Sequence, residues 1–212
     1  DLTIDGIPLE DEQAFLRLQQ GDTIGVFQLE GSMTTRMTTE IAPESFDDLI
    51  ALMALIRPGP AGGAADFCDR KHGRAPVTYM HPDLEPILKS TFGIAVYQEQ
   101  IMQIANAIAG FSMGDADGLR SAMGKKKQDL MESYRTPFIT GAVDHGLTTE
   151  LADDIFSMMA LFGGYGFNKA HSAAYAVIAA QTAYLKAHYP VEFMCALMTT
   201  DGDNHDRLVS DV

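Results

Sequence analysis

Residues 98–124 read QEQIMQIANAIAGFSMGDADGLRSAMG, and two helices follow from this stretch. Apolar residues keep helical spacing over 98–109, and the glycine that follows ends the pattern. Ser112 with Asp115 three positions later has the form of a capping box, so a second helix begins there and runs to about residue 123. The stretch therefore predicts two consecutive helices joined by a short turn and favours a mainly α-helical fold.

Helical patterns of the same kind occur on both sides of this stretch, and glycines or prolines punctuate them. They cover residues 11–20, 43–56, 83–89, 126–145, 149–162, 170–188 and 190–200. Two apolar runs, 24–29 and 92–97, are the candidates for short β pieces. The predicted fold class is mainly α, an irregular multi-helix domain with at most short β pieces, because the connections are too uneven for a simple bundle.

The composition is that of a globular protein and excludes the disordered and fibrous classes. The 212 residues are 46% hydrophobic and 21% charged. No apolar run approaches the roughly 18 residues of a membrane span, and the acidic start differs from a signal peptide. Cys68 and Cys195 lack partners at metal-binding spacing and are expected to be reduced thiols. These features predict a cytoplasmic protein with no membrane partner, and the absence of an initial methionine predicts a segment of a longer chain.

The net charge of −14 is unevenly distributed along the chain. Residues 1–50 carry −9, residues 51–136 carry +1 and residues 137–212 carry −6. The basic side chains of the middle part form two clusters, at 70–74 and at 125–127 with Arg120 just upstream. Each cluster is either a candidate phosphate-binding surface or the solvated end of a helix whose dipole the cations complement. Charge alone leaves both interpretations open.

The familiar local signatures of enzymes do not occur in the sequence, which contains no P-loop, no zinc-protease motif and no nucleophile elbow. The acidic pairs Asp47-Asp48 and Asp153-Asp154 cannot jointly hold a metal, because neighbouring side chains on a helix point in different directions. Both pairs are interpreted as solvated helix faces.

Two segments place cations beside a glycine break. Residues 119–127, LRSAMGKKK, group an arginine and lysines around a glycine, and residues 163–172, GGYGFNKAHS, bring Asn, Lys, His and Ser to a helix start. Both arrangements suit a phosphate or a sugar. The alternative for the second segment is that Ser172 or Asn168 caps the helix and His171 is a structural histidine.

Long ordered motifs make the chain resemble the C family of DNA polymerases, the alpha (catalytic) subunits of bacterial replicative DNA polymerase III. The matching motifs are GDTIGVFQLEGSM (21–33), FDDLIALMALIRPGPA (46–61), RKHG (70–73), YMHPDLEPILKSTFGIAVYQEQIMQIA (79–105), LRSAMGKKK (119–127) and GYGFNKAHSAAYAVIAAQTAYLKAHYPVEFMCALMTTD (164–201). The resemblance implies that residues 1–212 are a fingers-domain segment, with 1–42 as a palm-proximal lead-in and 43–212 as the helical fingers.

The resemblance also implies a chemistry and a set of partners. The fingers close over the incoming nucleotide, while aspartates of the preceding palm hold Mg²⁺ for two-metal nucleotidyl transfer. No such aspartate motif occurs here, so the segment is expected to be inactive alone and to work as part of a DNA-directed DNA polymerase. The implied partners are primer-template DNA, deoxynucleoside triphosphates, and the sliding clamp, clamp-loader and proofreading subunits, the last three mostly through other regions.

Individual residues acquire roles only from this resemblance. Those assigned to the nucleotide are the phosphate-neutralising Arg120 and Lys125 or Lys126, together with Asn168, Lys169 and His171 near the sugar and phosphates. His171 is expected to crowd the ribose 2′ position. Further candidates for lining the nucleotide or template path are Arg57, Tyr97, Gln98 and Tyr165.

Ser121 departs from the family pattern, because many relatives carry a second basic residue at this position. The change removes one candidate phosphate contact. Two alternatives to a replicative fingers domain stay open: a lesion-bypass paralogue of the same family, and a stand-alone helical module that binds nucleic acid or protein without catalysis.

Overall fold

The computed structural model describes residues 2–56, 63–125, 128–163 and 166–200. These residues form eleven α-helices and three 3-10 turns, with no β-strand among them. The helices are α1 Glu12–Gln19, α2 Ser32–Ile41, α3 Phe46–Leu55, α4 Ala64–Lys71, α5 Glu85–Leu88, α6 Gln98–Ala109, α7 Met113–Gly124, α8 Gln128–Asp144, α9 Thr149–Gly163, α10 Lys169–His188 and α11 Pro190–Thr200. The predicted mainly α class is confirmed. None of the described helices is long and apolar enough to cross a membrane.

Local capping signals agree with the observed boundaries of α6 and α7. Ser112 accepts a hydrogen bond from the Asp115 backbone N–H at 3.2 Å and donates to its carboxylate at 2.6 Å, as the capping box predicts. Gly110 ends α6 in the left-handed conformation, with φ of 67°. The sequence prediction does not include α2 and α4, which are both short: α2 is mostly polar, and α4 has as many polar as apolar residues.

The two candidate β pieces do not form strands. Residues 24–29 are a series of turns in which Gln28 adopts a left-handed backbone with φ of 64°, a conformation that a strand cannot contain. Residues 92–97 contribute one isolated parallel bridge, between Tyr97 and Phe167. The sequence of an apolar run this short does not determine its secondary structure, and in residues 24–29 the backbone forms turns.

The first of two compact units combines residues 2–56 with 170–200 and therefore contains α1–α3, most of α10, and α11. Its buried side chains include Phe15, Leu18, Val26, Leu29, Ile41, Leu49, Leu52, Ala176, Ala179 and Ala183. The small alanines let the loop after α1 approach α10, where the Phe27 backbone N–H donates to Thr182 Oγ1 at 3.1 Å. This bond joins residues 155 positions apart, and so connects the N-terminal and C-terminal parts of the unit.

A buried lysine fixes the same loop. Lys186 is 7% exposed, and its ammonium donates to the Ile24 carbonyl at 2.8 Å and forms an ion pair with Asp22. Arg17 pairs with Asp22 from the other side at 2.7 Å. Burial raises the pKa of Asp22, but the hydrogen bonds and charges of Lys186 and Arg17 outweigh burial and hold that pKa below its ordinary value.

The second unit, residues 63–169 as described, contains α4–α9 around its own apolar core. α8 and α9 pack against each other and against α6. Aromatic rings lie within this core: the ring centroid of Phe138 is 5.4 Å from that of Phe156 and 6.0 Å from that of Phe111. α8 passes the end of α6 so closely that a side chain at Gly141 would overlap the Ala109 carbonyl. The candidate site lies in this unit, at the start of α6.

Candidate functional site

The site is built on the segment Tyr97-Gln98-Glu99-Gln100, which opens α6. Gln100 is 4% exposed, and its Oε1 accepts hydrogen bonds from the backbone N–H groups of Val96 at 2.8 Å and Tyr97 at 2.9 Å. Its Nε2 donates to Thr91 Oγ1 at 2.8 Å. A buried, satisfied amide therefore fixes the first turn of α6.

A second segment, 167–169, pairs with this opening turn. The Phe167 N–H donates to the Val96 carbonyl at 3.0 Å, and the Gln98 N–H donates to the Phe167 carbonyl at 2.9 Å. The Glu99 carboxylate accepts from Asn168 Nδ2 at 3.1 Å and from the Lys169 N–H at 2.9 Å. We call the paired segments 96–99 and 167–169 the clasp. The clasp attaches the start of α10 to the start of α6.

Lys169 places its ammonium on an aromatic face within the clasp. Its Nζ lies 5.3 Å from the ring centroid of Tyr97, which is 3% exposed. A cation over a buried ring gains a favourable interaction that does not consume its N–H donors. Lys169 is therefore oriented while its donors stay suited to an anion.

Arg120 joins the same cluster from α7. Its Nη1 donates to Gln98 Oε1 at 3.1 Å and its Nε donates to Asp117 at 2.8 Å, with 28% of the side chain exposed. Two acceptors thus hold the guanidinium beside the start of α6. The structure brings together five of the predicted residues: Tyr97, Gln98, Arg120, Asn168 and Lys169.

Two further predicted residues are described by other features. Lys125 is the exposed cap residue after α7, where a cation also complements the helix dipole. His171 lies in the first turn of α10 and its ring is 4.2 Å from the ring of Tyr175. Arg57, Lys126 and Tyr165 lie outside the described residues.

Ser172, one of the two caps considered for α10, does not cap the helix. Ser172 lies inside the helix, fully buried, and its hydroxyl has no hydrogen-bond partner among the described residues. The Lys169 N–H is instead capped by a carboxylate 70 positions away. Local sequence offers no signal for a cap at that distance, so the prediction of a Ser172 cap is wrong.

The basic cluster at 70–74 is the C-terminal end of α4. Arg70 Nη1 donates to the Phe92 carbonyl at 3.1 Å, and Arg74 pairs with Asp69 at 2.7 Å. These contacts favour the helix-end interpretation over a phosphate surface.

The acidic pairs divide into two cases. Asp48 is 8% exposed and accepts from the Glu44 N–H at 3.0 Å, so the prediction of a solvated residue is wrong there. Asp153 is half-buried against Arg135. No three His, Cys, Asp or Glu side chains of the described chain are grouped so that they could hold a metal ion.

Two residues that sequence reasoning missed, Glu99 and Gln100, organise the cluster. Gln100 has a local signal, because it lies at the third helical position after Tyr97, where a Gln reaches back to the cap. Glu99 has none, because its partners follow it by 69 and 70 positions.

Comparison with known proteins supports the family that the sequence motifs resemble. The family described as "Bacterial DNA polymerase III alpha subunit finger domain" matches residues 1–146. The chain is 49% identical over 216 residues to DNA polymerase III subunit alpha of Pseudomonas aeruginosa, a match that covers 99% of this chain. It is 49% identical over 215 residues to the protein of that name from Escherichia coli K12, and 48% identical over 213 residues to that from Vibrio cholerae, covering 98% and 97% of this chain. The chain spans 18% of the length of each of these relatives.

Proposed function

The chain belongs to the family of bacterial DNA polymerase III alpha subunit finger domains, and we propose that it binds the incoming deoxynucleoside triphosphate and primer-template DNA within a DNA-directed DNA polymerase. One observation carries the proposal. Two cations from distant parts of the sequence, Arg120 and Lys169, are both held at the four-residue segment that opens α6. Paired cations of this kind are what a triphosphate requires.

Phosphoryl transfer needs little covalent chemistry from these residues. The triphosphate must be held in line, and the charge that develops on its oxygens must be neutralised. Arg120 supplies a planar guanidinium with N–H groups beyond those given to Gln98 and Asp117, and Lys169 supplies a point charge. In this proposal both cations contact phosphate oxygens.

The remaining residues complete the proposed site around these two cations. Lys125 or Lys126 would supply further positive charge to the triphosphate, and Asn168 and His171 would contact the sugar and phosphates, where His171 would discriminate against a ribose 2′ hydroxyl. Arg57, Tyr97, Gln98 and Tyr165 line the nucleotide or template path. For Tyr97 and Gln98 the contacts support a more definite role, since one carries Lys169 and the other holds Arg120.

Metal chemistry belongs outside this segment in the proposal. The proposed ligands of Mg²⁺ are palm aspartates of the longer chain, as the family resemblance implies. Bound there, Mg²⁺ would activate the attacking oxygen and stabilise the leaving group. The segment contributes binding and orientation of the nucleotide.

The proposed context is a cytoplasmic replicative polymerase. Residues 1–42 would form the lead-in from the palm and 43–212 the helical fingers. The sliding clamp, clamp-loader and proofreading subunits would contact mostly other regions of the longer chain.

The test uses a full-length polymerase III alpha chain that carries this segment. Arg120→Ala and Lys169→Ala are each expected to raise the KM for deoxynucleoside triphosphate about tenfold or more, because each removes a charge-assisted contact. Templated primer extension gives KM and kcat, and a separate titration gives the affinity for primer-template DNA. The matched control is Arg36→Ala on α2, an exposed arginine paired with Glu40, which should leave all three quantities unchanged.

Unchanged KM and kcat in both variants would contradict the proposed phosphate contacts. A full-length chain that binds DNA without incorporating nucleotides would favour the stand-alone binding module instead.

A further inference from the structure

Glu99 is absent from the nucleotide contacts proposed above, yet its side chain joins two helix starts. Its Oε1 accepts from Asn168 Nδ2 at 3.1 Å, and its two oxygens lie 3.0 and 2.9 Å from the Lys169 backbone nitrogen. The Lys169 N–H is among the first donors of α10, which have no acceptor within their own helix. Glu99 therefore caps α10 from the opening turn of α6.

The negative charge of Glu99 contributes beyond the hydrogen bonds themselves. Glu99 is also the acidic residue in the first turn of α6. A carboxylate near a helix N-terminus is stabilised by the partial positive charge of the helix dipole, and here the same carboxylate faces two such ends. An uncharged amide at this position keeps an acceptor but loses both charge interactions.

The Glu99 cap fixes the backbone of Lys169, and the Tyr97 ring fixes the position of its ammonium. The Lys169 backbone is fixed at Glu99, and its ammonium lies 5.3 Å from the Tyr97 ring centroid. A long side chain fixed at both ends loses less conformational entropy when it binds an anion. Fixing the backbone is thus a way to strengthen a contact that the ammonium makes.

We propose that Glu99 is a positioning residue for the incoming triphosphate, acting through Lys169 by capping the start of α10. This inference rests on the nucleotide-binding role proposed for Lys169. A carboxylate at a helix start can also occupy the place of a phosphate and be displaced by it. Displacement here would deprive two donors, Asn168 Nδ2 and the Lys169 N–H, of their acceptor and remove the charge from two helix ends, so the geometry favours a permanent clasp.

The experiment is a double-mutant cycle in the full-length polymerase III alpha chain, with Glu99→Gln, Lys169→Ala and the combined variant. Glu99→Gln is expected to raise the KM for deoxynucleoside triphosphate about fivefold to tenfold, with little change in primer-template affinity. Added to Lys169→Ala, it should raise KM by less than about twofold, because its effect passes through the lysine. The matched control is Glu150→Gln, which neutralises an exposed glutamate in the first turn of α9.

The possible results separate this inference from the function on which it rests. If Lys169→Ala raises KM and Glu99→Gln does not, the positioning role is wrong and the proposed function stands. If Lys169→Ala leaves KM unchanged, the lysine contact itself fails, and the role of Glu99 fails with it. A lower KM in Glu99→Gln would mean that the carboxylate competes with phosphate, and additive effects that extend equally to DNA affinity and thermal stability would mean a purely structural role. Each of these results overturns the inference.

Discussion

Lys169 and Lys186 lie on the same helix, α10, and have opposite environments. Lys186 is 7% exposed, and its ammonium is surrounded by the Asp22 carboxylate and the carbonyls of Asp22 and Ile24. Lys169 is half-buried, and its ammonium lies over the π face of Tyr97. An ammonium has three N–H donors, and oxygen acceptors occupy them in the first case while the ring orients the charge in the second.

The comparison shows that the neighbouring acceptors decide whether a lysine stabilises the fold or is available to bind an anion, since both lysines lie on the same helix. Removing one partner of a buried ion pair leaves the other groups desolvated and unpaired, so stability falls. Removing an oriented cation near the surface costs little stability and weakens anion binding. The two lysines should therefore separate stability from nucleotide use, and the predictions below test that separation.

The largest expected effect is on the stability of the first unit. Lys186→Ala should lower the free energy of unfolding by about 2–3 kcal/mol, because two carbonyls lose their donor and Asp22 retains only Arg17. Urea denaturation of the chain at pH 7 measures the loss.

Lys186→Met is the control for packing, since methionine keeps most of the aliphatic stem and lacks the charge. A similar loss in both variants assigns the effect to the ammonium. Full recovery of stability in the methionine variant would show that the stem, and not the ion pair, stabilises this loop, and the contrast with Lys169 would no longer hold.

A smaller effect of the same ion pair appears as a dependence on pH. The pKa of Asp22 is raised by burial and lowered more strongly by Lys186 and Arg17, so it lies below the unfolded value of about 3.9. The stabilisation is complete above the unfolded value and is lost as the pH falls through the folded pKa. The urea midpoint should therefore decrease below about pH 4, in part because Asp22 is protonated.

The control for this dependence is Lys186→Met, which removes the hydrogen bond and charge that lower the Asp22 pKa most. The acid dependence should become shallower in this variant. An unchanged slope would assign the acid sensitivity to other carboxylates, such as Asp11, whose pKa is raised by burial but lowered overall by the Ala14 N–H and His188.

Most of the fold was predictable because its signals are local. The capping box at Ser112 and the glycine after α6 mark helix ends that the structure reproduces. α2 escaped prediction because it is threonine-rich and its apolar spacing consists of Met33, Met37 and Ile41 alone. Of these three only Ile41 is buried, together with Thr38. Asp48 was misjudged because sequence does not show which face of an acidic helix start is covered.

Short sequence motifs predicted less of the candidate site than of the fold. Arg120, Asn168 and Lys169 were candidates because cations lie beside glycine breaks, but that pattern has no specific signal, and only the family resemblance gave these residues individual roles. Glu99 was missed altogether, because its role is defined by partners 69 and 70 positions away. Contacts of that separation depend on how the whole chain folds, and no short motif encodes them.

The smallest expected effect distinguishes two roles of Gln98. Gln98→Ala removes one neutral acceptor from Arg120 while Asp117 continues to hold the guanidinium at 2.8 Å. A neutral hydrogen bond contributes about 1 kcal/mol, so the KM for deoxynucleoside triphosphate in the full-length polymerase should rise about twofold to fivefold, less than in Arg120→Ala. Combining the two changes should give no more than the arginine change alone, because Gln98 then acts only through Arg120. If Gln98→Ala equals Arg120→Ala in size and the two effects add, Gln98 contacts the nucleotide directly, and the cluster at the start of α6 has a third binding residue in place of a support.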